Sequence, residues 1–182
     1  MVSQEPAKDV ADAPQDSRRP ITPQCTPAVI EGTQASFRQR RRGSQNLAIA
    51  ERDLKTALGI CSTDDAAPLL KEQLRVTQEE RAESSLQVAK FYLRPSLDGK
   101  IRKNAALPRL KDIRERYPEY SKLDEVIWLL GNLTFEEKDI DEAAKYYQQL
   151  IKDFPSSQYA NLSLQQIAII ESMKAGTKAP ND

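Results

Sequence analysis

The sequence predicts an all-α protein: a long helical hairpin followed by an α-solenoid of about two repeats and a capping helix. Three observations predict it. Apolar residues recur at three- and four-residue spacing through 124–155, the pattern of helices that bury one face. The same apolar, small and proline positions return after a step of 37 residues in either direction. The composition is that of solvated helices, with 30% charged residues, 6% aromatic and only 6 glycines in 182 residues.

Composition narrows function before any element is placed. Lysine plus arginine equals aspartate plus glutamate at 27 each, so no global field favours nucleic acid or an anionic membrane. The absence of histidine removes histidine general bases, Ser-His-Asp triads and imidazole metal sites together. Two cysteines do not by themselves make a zinc cluster. No catalytic residue, metal site, cofactor or small-molecule ligand is therefore expected. The carboxylates Glu136, Glu137, Asp139, Asp141 and Glu142 read as helix-end charges, and calcium-loop spacing is absent. No apolar run reaches the length of a membrane span, and residues 1–20 lack the basic-then-apolar layout of a signal peptide.

In chain order, residues 1–26 carry Pro6, Pro14, Pro20 and Pro23 among alternating charges and predict a disordered lead. Residues 27–83 predict a long antiparallel hairpin leading into the repeats. Its first helix, 27–59, begins at Pro27 and keeps Ile30, Phe37, Leu47, Leu54 and Leu58 roughly on one face. One continuous helix is the first reading, with a break at Gly43 as the alternative. Arg38, Arg40, Arg41 and Arg42 suit phosphate or an acidic partner in sign, but without interleaved aromatics they fit a solvated face better. The second helix, 67–93, has Asp64 or Asp65 as its cap and Pro68 in its first turn. Leu69, Leu70, Leu74, Val76, Leu86 and Val88 form its apolar side.

Cys25 and Cys61 flank the first helix. A continuous helix there separates its ends by roughly 45–50 Å, whereas a disulfide needs Cα atoms within about 7 Å. A bond thus requires a fold-back at Gly43 or a returning N-terminal segment, and two free thiols is the simpler reading.

Residues 84–174 hold the repeats. Ala106, Leu110, Ile113, Tyr117 and Pro118 align with Ala143, Tyr147, Leu150, Phe154 and Pro155, and Ile127, Leu130 and Gly131 align with Leu164, Ile167 and Ala168. The turn of the first repeat, 94–104, is longer, and Asn104 as a cap would place Pro108 in a first helical turn. Its basic residues Arg94, Lys100, Arg102 and Lys103 read as a surface loop, with an acidic partner as the alternative. A last helix, 158–174, caps the stack with a polar outer face, and 175–182 predicts a disordered tail.

The small residues Gly131 and Ala143 on facing helices, closed by Phe154-Pro155, resemble the tetratricopeptide helix-turn-helix unit. That resemblance implies a superhelix whose inner surface, lined by the first helix of each pair, binds protein partners. The residues it assigns to that surface are Glu125, Trp128, Asn132 and Phe135 in the central repeat. In the first repeat they are Glu83, Leu86, Lys90 and Leu93. Trp128, the one tryptophan, reads either as an anchor for a peptide or as packing against the preceding repeat or hairpin. Asn132 would pair with peptide backbone.

The wording VAKFYL, RLKDIRERYPEYSKLDEVIWLLG and DIDEAAKYYQQLIKDFPSSQYA is further similar to the BamD-type (YfiO-like) outer-membrane lipoproteins. This implies a periplasmic, outer-membrane-associated scaffold that assists β-barrel assembly through protein contacts alone. Periplasmic repeat proteins that coordinate cell division with the Tol-Pal system are the runner-up. A cytoplasmic adaptor is the remaining class.

Overall fold

The computed structural model describes residues 24–94 and 99–176, the side chains of 99–103 excepted. Seven α-helices and no strand occupy the described residues. They are α1 (Pro27–Gln39), α2 (Ser44–Ile60), α3 (Ala67–Tyr92), α4 (Gly99–Arg116), α5 (Leu123–Glu136), α6 (Ile140–Asp153) and α7 (Ala160–Gly176), with a 3-10 turn at Arg40–Arg42. Each packs on the next. The segments read as disordered, 1–26 and 175–182, lie outside the described residues except at their inner ends. There Thr26 caps α1, accepting from the Val29 amide, and α7 runs on to Gly176.

Two expectations for the first 35 or so described residues are corrected together. The stretch 27–59 is not one helix. Gly43 adopts φ 139°, a conformation that L side chains rarely reach, and the chain folds back between α1 and α2. The fold-back brings Cys25 and Cys61 into a disulfide with Cα atoms 5.0 Å apart, so neither is a free thiol.

Arg40 is also misplaced by the solvated-face reading. It is buried, with its guanidinium 3.8 Å above the Phe37 ring and Nη1 donating to the Phe37 carbonyl at 2.9 Å. Its Nε stands 3.0 Å from the Glu80 carboxylate, an ion-pair contact short of hydrogen-bond alignment. On α2, Glu51 is buried and receives Lys55 at 2.7 Å and Arg81 from α3. Burial alone would raise its pKa, but the hydrogen bonds and charges of Lys55 and Arg81 outweigh that and hold it below the ordinary value.

The helices recur as pairs because one turn is used three times. Backbone amides bond in the same 4-3-3 sequence at each junction. Tyr117 N donates to Ile113 O, Tyr120 N to Tyr117 O and Leu123 N to Tyr120 O, at 2.9, 3.1 and 3.1 Å. The set at Phe154, Ser157 and Ala160 is the same at 2.8, 3.0 and 3.1 Å. So is the set at Cys61, Asp64 and Ala67, at 2.7, 3.2 and 2.9 Å.

Burial follows the same register. Ala50, Ala106 and Ala143 are each fully buried, as are Leu54, Leu110 and Tyr147, and Ala57, Ile113 and Leu150 are buried with them. The hairpin before the repeats is therefore itself a repeat: α1–α2, α3–α4 and α5–α6 are successive pairs, and α7 follows. Cys61 occupies the closing position that Tyr117 and Phe154 hold in the other two, which hides the kinship in the sequence.

Small size at Gly131 serves the ring of Tyr147 rather than Ala143. A Cβ built there would stand 2.6 Å from Tyr147 Cε1. Lys138, at φ 64°, makes the left-handed step of the α5–α6 turn, and the Asp139 side chain caps α6 through the Glu142 amide at 3.3 Å.

Two smaller expectations fail. Asn104 is inside α4 rather than at its cap, so Pro108 sits in the helix interior, where Arg109 Nη1 donates to the Ala105 carbonyl at 2.5 Å. Leu69 and Val88 are exposed, while Leu70 and Leu86 turn inward as expected and Ala89 joins them. On α7 the side opposite buried Ala160, Ser163 and Ile170 carries exposed Asn161, Gln165 and Ser172, with the exposed apolar residues Leu162, Leu164, Ile169 and Met173 on its flanks. Of the basic turn, the side chains of Lys100, Arg102 and Lys103 lie outside the described residues.

Candidate partner-binding face

The face that the resemblance assigns to partners lies on α3 and α5, the first helices of the second and third pairs. Side-chain links run from one to the next along it. Lys90 on α3 bonds Glu125 on α5 at 2.5 Å. Asp124 accepts from Ser157 Oγ at 2.6 Å, tying α5 to the turn before α7. At the α3–α5 junction, Glu83 accepts from Tyr120 OH at 2.5 Å, Lys122 Nζ at 2.8 Å and Gln87 at 2.6 Å. The Lys122 and Tyr120 hydrogen bonds, partly opposed by desolvation, hold its carboxyl at about 2.

The predicted inner-face residues do not form one continuous surface. Asn132 and Leu93 line a shallow depression between the end of α3 and α5, together with Leu129, Leu133 and Glu136. Asn132 Oδ1 accepts from Tyr147 OH at 2.8 Å, which leaves its amide nitrogen as the remaining donor. Glu125 and Lys90 neutralise each other on the rim. Leu86 is corrected: it is fully buried in the main core cluster and cannot reach a partner.

Trp128 and Phe135 belong to a small apolar cluster with Ala143, Tyr147 and Ile170 that joins α5, α6 and α7. Trp128 stacks on Tyr159 with ring centroids 5.8 Å apart and planes 16° from parallel, and meets Tyr147 at 5.6 Å. It is half-buried. The packing alternative for Trp128 is thus the geometry seen, against Tyr147 of α6, Tyr159 of the α6–α7 turn and the main core cluster. Burial pushes the Tyr147 hydroxyl pKa up, with the Glu136 charge adding to it, and does the same at Tyr159 with help from Glu125 and Asp124.

Sequence reasoning missed Leu129 and Leu133. Both follow the helical spacing of Leu130, and only the tilt of α5 against α3 decides which of these leucines reaches the depression. A cleft on the opposite edge, between α3 and the α4–α5 turn, is lined by Arg75, Glu79, Arg116 and Tyr117. Three of its charged groups are already engaged: Arg75 bonds Glu72 at 2.7 Å, Glu79 holds the Ser121 amide at 3.2 Å, and Arg116 faces Asp112 at 3.4 Å. Among the described residues no group of His, Cys, Asp and Glu side chains has metal-site geometry, and no helix is long and apolar enough to cross a membrane.

Paired helices with one turn chemistry at each junction define a helical-repeat solenoid, the architecture of protein-interaction scaffolds. Residues 125–157, the α5–α6 unit, match the family model for the tetratricopeptide repeat. Comparison with curated proteins and with solved structures returned no match.

Proposed function

We propose that the chain is a non-catalytic interaction scaffold of the bacterial cell envelope, working outside the reducing cytoplasm in the manner of the BamD-type assembly lipoproteins. The observation that carries this reading is the Cys25–Cys61 disulfide, with Cα atoms 5.0 Å apart. Disulfides persist in oxidising compartments such as the periplasm and are rare in the cytosol. The bond therefore favours an envelope scaffold over a cytoplasmic adaptor.

The resemblance of 84–174 to the BamD-type repeats supplies the finer role: attachment at the outer membrane and assistance to β-barrel assembly. The partner is a protein segment with an apolar side chain for the depression walled by Leu93, Leu129 and Leu133 and a backbone carbonyl for the Asn132 amide. The test is thiol trapping combined with fractionation of native cells. The protein is expected to resist alkylation until reduced and to co-sediment with the outer membrane. Recovery of the dithiol form from the cytosol overturns the compartment. Recovery of the oxidised form free of the outer membrane overturns the BamD-type role alone.

A further inference from the structure

Arg52 and Lys55 of α2, Arg81 of α3 and Arg116 of α4 converge on one pocket whose wall holds a single carboxylate, that of Glu51. Glu51 is buried and fixes two of the four: Lys55 bonds one of its oxygens at 2.7 Å and Arg81 Nη1 bonds the other. The Tyr117 hydroxyl stands 3.4 Å from the same carboxylate. Each cation keeps donors beyond those it spends on the protein. Lys55 uses one of the three an ammonium has, and Arg81 uses Nη1 alone. Arg52 sets Nε and Nη2 on one oxygen of Asp53, at 3.0 and 2.9 Å, which leaves Nη1. Arg116 reaches Asp112 only through Nη1, at 3.5 and 3.4 Å from its two oxygens. Even with Asp53 and Asp112 counted beside Glu51, four cations face three carboxylates, and Asp53 also accepts from Ser36 Oγ at 2.6 Å.

We propose that this pocket binds a phosphate group. A phosphate monoester carries about −1.5 to −2 charge near pH 7 and three strong acceptor oxygens, so it takes donors from several directions at once. Here the donors stand on three helices, and three of the four are guanidinium forks, which match phosphate oxygens in pairs. A carboxylate offers two oxygens in one plane and a single charge, less than this wall supplies. Glu51 preorganises the site: its buried carboxylate holds Lys55 and Arg81 in place beforehand, so their ordering is a cost of folding and not of binding. Arg52 and Arg116, both exposed, complete the shell at the rim. A soluble phosphate compound and a phospholipid headgroup carry the same chemistry. The pocket is separate from the depression walled by Leu93, Leu129 and Leu133, and the proposal does not rest on the envelope role.

Titration of the full oxidised chain with inorganic phosphate at constant ionic strength, followed by backbone amide NMR, tests this. Saturable shifts are expected at residues 48–56 and at Arg81, with a dissociation constant on the order of 1 mM. Arg52→Gln combined with Arg116→Gln is expected to weaken binding about tenfold or more. Both side chains are exposed, so helical circular dichroism should not change. Arg38→Gln combined with Arg42→Gln removes the same charge from another exposed stretch and should leave binding as it was. Co-sedimentation with phosphatidylcholine vesicles containing phosphatidic acid separates the two sources. Retention that the Arg52/Arg116 variant loses supports the pocket with a lipid headgroup as its ligand. Phosphate binding without retention supports it with a soluble phosphate compound. The absence of saturable shifts, full binding by the Arg52/Arg116 variant, or an equal loss in the Arg38/Arg42 variant overturns the proposal. None of these outcomes bears on the compartment of the protein.

Discussion

The first and third helix pairs share a turn and a burial register, yet they are held together by different means. In α5–α6 the closing residue is Phe154, and the pair is filled by Tyr147 against Gly131, with Trp128 and Tyr159 stacked alongside. In α1–α2 the closing residue is Cys61, bonded covalently to Cys25, and the interior is a small cluster of Leu54, Ala57, Cys61 and Leu70. Polar links complete it: the reciprocal Gln34–Gln73 amide pair at 3.1 and 2.8 Å, the Arg40–Glu80 contact and the Glu51 pairs. A repeat with aromatic filling holds through apolar burial. One whose buried centre is aliphatic, with Phe37 partly buried at its edge, adds a crosslink and ion pairs, whose desolvation consumes much of what they return.

The comparison sharpens if the same register position is truncated in both pairs. Tyr147→Ala is expected to cost about 3–5 kcal/mol and Leu54→Ala about 2–4 kcal/mol in denaturant unfolding. Equal losses would mean that the aromatic adds nothing to the third pair. Next in size is the crosslink. Cys25→Ser opens a loop whose ends are 36 residues apart, with an expected cost of about 3 kcal/mol. Hydrogen exchange should show protection falling in α1 and α2 first while α5 and α6 amides keep theirs. Uniform loss would erase the distinction between the pairs.

Ser163 tests the register itself. It is fully buried, its hydroxyl has no hydrogen-bond partner, and it sits where Leu70 and Val126 sit after the other two turns. Ser163→Val is expected to raise stability by about 1 kcal/mol, and a loss instead would show that the third turn is not equivalent to the others.

The smallest effect is the tie between α3 and the second turn. The Glu83 pKa is lowered from 4.5 to about 2 in the folded chain, so its contribution is complete above pH 4.5 and disappears as pH falls toward 2. Allowing for the partial exposure of the pair, the loss is about 1 kcal/mol. Glu83→Gln should flatten that part of the stability–pH curve.

The repeats from α4 onward could be read in advance because their apolar spacing, small residues and YP or FP closures are local signals. The first pair was harder. Its kinship rests on Ala50, Leu54, Ala57 and Cys61, and cysteine in place of an aromatic breaks the visible pattern, while 56 residues separate Cys61 from Tyr117 where 37 separate Tyr117 from Phe154. The disulfide looked unreachable only while 27–59 was taken as unbroken, and Gly43 decides that point. Of the residues assigned to the inner face, Lys90 and Glu125 pair with each other and Asn132 accepts from Tyr147, so which of them are already satisfied depends on neighbours far along the chain. Leu86 is in the core, as its place on the apolar side of α3 implied, and not on the face to which the resemblance assigned it.

By itself the sequence determined that the chain is helical, that its helices pair, and that histidine chemistry is closed to it. Those follow from composition and from apolar periodicity, which act within one or two helical turns. The tertiary structure alone decided that the hairpin is a third repeat, that Cys25 meets Cys61, and that Trp128 packs against Tyr159. Each of these depends on which faces meet across distant segments, and the spacing within any single segment carries no record of it.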